Sequence, residues 1–244
     1  DAIDTSLALR LSGVLDLFDA RLATVVDALD ALTARDGDKR VMAHTRMQAA
    51  LAVDAARKIF SWRDPLVRHQ ARLVSVRSHV AVLALGGPVG SLESFGDKAD
   101  AVVKRLAASL ELAPPHRPRH SERDGIAELA SWLSLVTGSL GKFGQDVALL
   151  AQNEVAEIRL ASGGGSSAMA HKVNPVAAET LVALARFNAT LLSGIHQSLV
   201  HENERSGAAW TLEWMILPQM AMATGVALST AARLAAEITF QATA

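Results

Sequence analysis

Residues 3–33, IDTSLALRLSGVLDLFDARLATVVDALDALT, carry apolar side chains at Ile3, Leu7, Leu11, Val14, Leu15, Phe18, Leu22, Val25, Leu29 and Leu32. Gaps of three and four are the period of one face of an α-helix. Asp36-Gly37 follows as a stop. A helix of about 30 residues runs roughly 45 Å, a length suited to an extended bundle. The rest of the chain repeats this pattern. Helices are expected over about Ala52–Leu85, where Pro65 should kink the helix or begin a new one, and over residues 95–112. Others are expected over 121–160, 175–200 and 211–239. Ile126, Leu129, Leu133, Val136, Leu140, Phe143, Val147 and Leu150 mark the buried stripe of the fourth. Gly138, Gly141 and Gly144 at a spacing of three suggest close approach of a neighbouring helix, or simply tolerated weak points.

No run of alternating strand residues stands out, and tyrosine is absent with aromatics at 4%, so the fold class is all-α. The connectors are 39–50 (KRVMAHTRMQAA), the turn cluster at 86–90, the proline-rich 113–119, and HENERSG at 201–207.

The chain has 244 residues, 50% of them hydrophobic, and a formal net charge of −1. A sizeable core is affordable, and nothing in the charge points to a nucleic acid or an anionic membrane. No cysteine is present, which excludes disulfides and thiolate metal sites. Residues 214–232 lack charge, but Pro218, Gln219, Thr224, Ser229 and Thr230 interrupt them, so a buried core helix is the reading rather than a membrane span. No signal-peptide pattern opens the chain, and a cytoplasmic location is expected.

Among chemical motifs, His201-Glu202 lacks the second histidine of a zinc-binding helix, and no phosphate-loop or dinucleotide fingerprint occurs. GGSSA lacks the last glycine of a nucleophile elbow. No metal or organic cofactor is expected. The loop 163–179, GGGSSAMAHKVNPVAAE, remains. A serine there becomes a base if cations and backbone N–H groups stabilise its alkoxide. Lys172 and Asn174 can clamp a carboxylate and stabilise charge as a proton leaves the carbon beside it. From the residues alone, a flexible polar loop is an equal alternative. Arg205 and Ser206 could bind a second anionic group, or belong to a solvated charge cluster.

GSSAMAHKVNP with Glu179 resembles the signature loop of the fumarase/aspartase superfamily, GSSxMPxKxNP followed by a glutamate. Ala170 stands where that family has proline. DAIDT at residues 1–5 resembles the tail of the superfamily's first conserved region, so the chain is expected to begin within that region. Residues 120–158 and 200–220, with the loop histidine, are similar to bacterial 3-carboxy-cis,cis-muconate cycloisomerases. In HTRMQ, Arg46 follows Thr45 where adenylosuccinate lyases carry a Thr-His pair.

This resemblance implies a long-helix bundle with a homotetrameric core. It implies a central-bundle helix at 1–33 after a truncated N-terminal domain and a helical domain at 34–244 with its catalytic loop at 161–175. The small C-terminal domain would be largely absent. It also implies a reaction on a small anionic substrate: a muconate carboxylate adds to a double bond to close a lactone. Ser166 would transfer the proton. Lys172, Asn174, Arg205, Ser206, Thr45 and Arg46 would bind substrate. His171, Glu179 and Gln48 would support them. A β-eliminating lyase and an inactive helical oligomer are the alternatives.

Overall fold

A computed structural model describes residues 1–161, 163–165, 169 and 172–242. Among them are six α-helices: α1 (Ala2–Asp36), α2 (Ala55–Val80), α3 (Ala99–Ser109), α4 (Asp124–Leu150), α5 (Val176–Gln197) and α6 (Gly207–Glu237). The all-α reading stands. Every stripe residue of α4 named above is buried, from Ile126 at 8% exposure to Val136, Leu140 and Val147 at 0%. On α1, residues Leu11 through Leu32 of the stripe are buried except Val14, which is partly covered, and Ile3 is exposed.

The chain divides into two compact units. The first comprises residues 1–19, 70–133 and 190–221. Within it, Phe18 stacks on Trp132 with ring centroids 6.2 Å apart. A smaller cluster joins Ala8, Leu83, Val103, Ala107 and Leu112. Asp1 accepts the backbone N–H groups of Gly86 (2.8 Å) and Gly87 (2.9 Å), and Thr5 donates to the Ala84 carbonyl (3.0 Å). The opening DAIDT thus anchors the glycine turn.

The second unit comprises residues 20–69, 134–189 and 222–244. Trp62 lies at its core, 5.0 Å from Phe143 and 6.0 Å from Phe240 between ring centroids. The expected close approach occurs at two of the three glycines. A Cβ on Gly141 would meet Ala185 Cβ at 2.5 Å, and one on Gly144 would meet the Ala178 carbonyl oxygen at 2.5 Å, whereas Gly138 faces open space. Only a bare backbone lets α4 and α5 pack at that distance.

Several expectations fail. The connector at 39–50 is not a loop: Arg40–Thr45 (β1) pairs antiparallel with Gln48–Asp54 (β2). Only Val41 of the two strands is buried, so no alternating pattern of burial announces them. Pro65, expected to kink the helix or begin a new one, lies inside α2 and begins no new helix. Trp62 and Leu66, each 1% exposed, anchor the helix on both sides of it, and their burial outweighs the roughly 3 kcal/mol a helix-interior proline costs. Helix α4 stops at Leu150 rather than 160, because Ile158–Leu160 (β3) pairs with Ile238–Phe240 (β6). That pairing also ends α6 at Glu237, two residues before the expected end, while the helix begins four residues early, at Gly207. Residues 95–98, expected as helix, belong to a 3₁₀ turn at Glu93–Lys98, and α3 ends at Ser109.

By length and composition alone, α5 and α6 are apolar enough to cross a membrane, but half of the α6 window is buried within the fold. This agrees with its reading as a core helix.

Candidate active site

The signature loop contains a small ladder. Gly164–Gly165 (β4) pairs antiparallel with Val173–Asn174 (β5), Gly164 opposite Asn174 and Gly165 opposite Val173. The glycines serve this pairing by their size. A Cβ on Gly163 would lie 2.4 Å from Val173 Cγ1, and one on Gly164 would lie 2.8 Å from Val176 Cγ2. Neither has a positive φ, so close approach, not backbone freedom, is the reason for glycine here. The ladder places Asn174 just before α5, with Lys172 two residues earlier and exposed. The Lys172 N–H donates to the Met169 carbonyl at 3.0 Å. Glu179 sits exposed in the first turn of α5, where a carboxylate is favoured by the helix dipole. Ser166 and His171 lie outside the described residues.

Thr45, Arg46 and Gln48 belong to the β1–β2 hairpin of the same unit. Thr45 pairs with Gln48, leaving Arg46 and Met47 as the turn, with φ of 50° and 65°. Positive φ at both central positions is the type I′ pattern. Neither residue is a glycine or asparagine, so the turn is strained by about 1–3 kcal/mol per residue. Beneath the hairpin lies a half-open cleft of about 730 Å³, lined also by α2 and the C-terminal half of α4. Arg46 is one of its lining residues.

Arg205 and Ser206 belong to the other unit. Ser206 is 3% exposed, and its Oγ accepts the Ala209 N–H at 3.3 Å, capping α6. Its backbone N–H donates to His201 Nδ1 at 3.3 Å. Burial, then the charge of Arg123, holds His201 below its ordinary pKa. Its neutral ring therefore accepts at Nδ1. Arg205 is exposed, with its guanidinium 5.1 Å from the Trp210 ring centroid, a cation–π contact.

Trp210 was not singled out by sequence reasoning, nor was the network that holds it. Its Nε1–H donates to Asp4 at 3.2 Å. Asp4 also accepts from Arg123 at 3.3 Å, and Arg123 Nε donates to Glu213 at 2.9 Å. All three charged groups are buried. Burial opposes the Arg123 charge, but its bonds to Glu213 and the charges of Glu213 and Asp4 outweigh that and raise its pKa. Two acids and one arginine spread over residues 4, 123 and 213 give no sequence signal. Among the described residues no group of three His, Asp or Glu side chains is placed to hold a metal ion.

Comparison with known proteins adds the family. The 3-carboxy-cis,cis-muconate cycloisomerase of Pseudomonas putida is 40% identical over 223 residues, covering 90% of this chain and 53% of that protein. The crystal structure of the 3-carboxy-cis,cis-muconate lactonizing enzyme from Pseudomonas putida superposes with a TM-score of 0.93 at 38% identity, covering 99% of this chain and 54% of that one. The crystal structure of fumarate lyase from Mesorhizobium sp. BNC1 gives 0.89 at 30% identity, covering 97% and 53%. The chain spans about half the length of the curated relatives it matches. With the Lyase family model matching residues 1–187 on top of the signature loop and its glycine ladder, the chain belongs to the lyase family.

Proposed function

We propose that the protein carrying this chain is a cycloisomerase that closes a substituted cis,cis-muconate, such as 3-carboxymuconate, to a muconolactone. The observation that supports this reading is the glycine ladder, which pairs Asn174 with Gly164, two residues after Lys172, in a chain similar to a muconate lactonizing enzyme.

In the reaction one substrate carboxylate oxygen forms a bond to an alkene carbon. The electron pair of the double bond moves to the neighbouring carbon and into the carboxylate attached there. Lys172 and Asn174 hold that carboxylate and stabilise the charge as it builds. Ser166 then delivers a proton to the carbon, and no atom leaves. Arg205, oriented on the Trp210 face and set beside the Ser206 cap, binds a distal carboxylate. Thr45 and Arg46 contribute from the hairpin. Gln48, His171 and Glu179 support these groups. No cofactor or metal enters the scheme. Arg46, standing where adenylosuccinate lyases have a histidine, weighs against the β-eliminating alternative.

The protein is further proposed to be a cytoplasmic homotetramer, with residues 1–33 and 34–244 contributing to one central bundle. Loss of 3-carboxymuconate ultraviolet absorbance on adding the purified protein tests the activity. Ser166→Ala is expected to lower turnover by at least about 10²-fold, the low end for acid–base catalysis, with the oligomer intact in sedimentation. An unchanged rate removes Ser166 from this role, and turnover of adenylosuccinate instead supports elimination.

A further inference from the structure

The cleft beneath the β1–β2 hairpin contains more positive charge than the signature motifs account for. Besides Arg46 it is lined by Arg57 and Lys58 of α2 and Lys142 of α4, against one lining carboxylate, Asp146. That carboxylate is already engaged: Asp146 accepts the Trp62 Nε1–H at 2.6 Å and pairs with Lys142. Lys58 stands 3.6 Å from Glu157. Arg46 and Arg57 have no hydrogen-bond or ion-pair partner among the described residues. Both guanidinium groups line one cavity, where each can donate to a bound anion.

We propose that this cleft binds a small organic acid carrying two or more carboxylates, with Arg57, Lys58 and Lys142 joining Arg46. Three features set the ligand class. The volume of about 730 Å³ falls in the range of small-molecule sites, roughly 300–1,000 Å³. Leu149, Leu150 and Val155 give the cavity an apolar floor, which suits a carbon skeleton better than a bare inorganic ion. No Trp, Tyr or Phe lines it, and His44 is its one ring, so it offers less stacking surface to a nucleobase than to a carboxylate-bearing chain. The strained turn at Arg46 fits the same role, since strained backbone clusters at ligand clamps.

The inference rests on the proposed anion-binding role of Arg46 and extends it to groups on two helices. The probe is tricarballylate, a saturated tricarboxylate that cannot cyclise, titrated calorimetrically into the purified protein. Arg57→Gln and Lys142→Gln are each expected to weaken binding by at least about fivefold, as loss of a charge-assisted contact does. Arg68→Gln, on the same helix but not lining the cleft, is expected to leave binding unchanged. Circular dichroism checks that each variant is folded. Absence of binding, or equal affinity in the Arg57→Gln and wild-type proteins, overturns the proposal. Turnover of 3-carboxymuconate, followed in parallel, separates the two readings. Arg57-dependent binding without turnover keeps the cleft and removes the cycloisomerase. Turnover with Arg57-independent binding does the reverse.

Discussion

The Asp36 carboxyl is 1% exposed and receives Arg35 at 2.9 Å, Lys39 at 2.8 Å and the Phe240 N–H at 2.9 Å. Burial alone would raise its pKa, but these donors outweigh it and bring the value from 3.8 to about 2. A carboxyl with a depressed folded pKa stabilises the fold above its unfolded value and loses that contribution as pH falls through the folded one. The window is therefore about pH 4 to 2, and the contribution near neutrality is about 2 kcal/mol. Asp36→Asn is expected to lower stability by about that amount at pH 7. It should also flatten the acid limb of urea-unfolding midpoints measured from pH 4 to 2. His120 and His201 act at higher pH. Each has a pKa lowered first by burial and next by an arginine charge, from Arg205 and Arg123 respectively. Both must take up protons on unfolding below about pH 6.5, so their contribution declines as pH falls beneath that value.

On α4 the same substitution is expected to have opposite signs at two turns. Gly144→Ala would place a methyl 2.5 Å from the Ala178 carbonyl oxygen, where backbone must shift. Overpacking of that kind costs about 1–3 kcal/mol, more than the gain of up to about 1 kcal/mol from helix propensity. Gly138→Ala meets nothing within 4 Å and is expected to stabilise by about 0.5–1 kcal/mol. Thermal melts of the two variants should bracket the wild type. Helices with long apolar stripes were readable because burial on one face imposes their period. The hairpin was not, because one buried residue, Val41, cannot impose an alternation, and Arg46-Met47 lacks turn chemistry. The end of α4 was equally hidden. The local pattern beyond Leu150 suits a helix, and the strand pairing that overrides it comes from residues 238–240. Within the candidate site, the signature loop is what put Lys172 and Asn174 forward. Arg57, Lys58 and Lys142 were passed over because charged side chains on a helix usually belong to its solvated face, and Trp210 because its partner Asp4 is 206 residues away.

Across the whole molecule, several large apolar side chains stand exposed. Met215, Met222 and Val226, at 63%, 64% and 51% exposure, share one face of α6 by their spacing of seven and four. Such a face is costly to leave in water, in keeping with the proposed tetramer. Met222→Glu is expected to shift sedimentation toward smaller species while leaving helical circular dichroism unchanged. A wild-type protein that sediments as a monomer would contradict the proposed assembly.

The ties between Asp36 and the strand at 238–240 also govern when this protein can fold. Arg35 donates to the Ile238 carbonyl, Lys39 to that of Phe240 at 2.9 Å, and the Phe240 ring stacks on Trp62. Residues near position 36 leave the ribosome about 200 residues before these partners do. At roughly 5–20 residues per second, that interval lasts on the order of 10–40 s. Throughout it, Asp36 has its neighbours Arg35 and Lys39 but lacks the Phe240 N–H, and the indole of Trp62 lacks one of its covers. The second unit therefore completes its packing only after residues 238–240 have emerged. Until then its early half lacks the contacts that residues 238–240 supply.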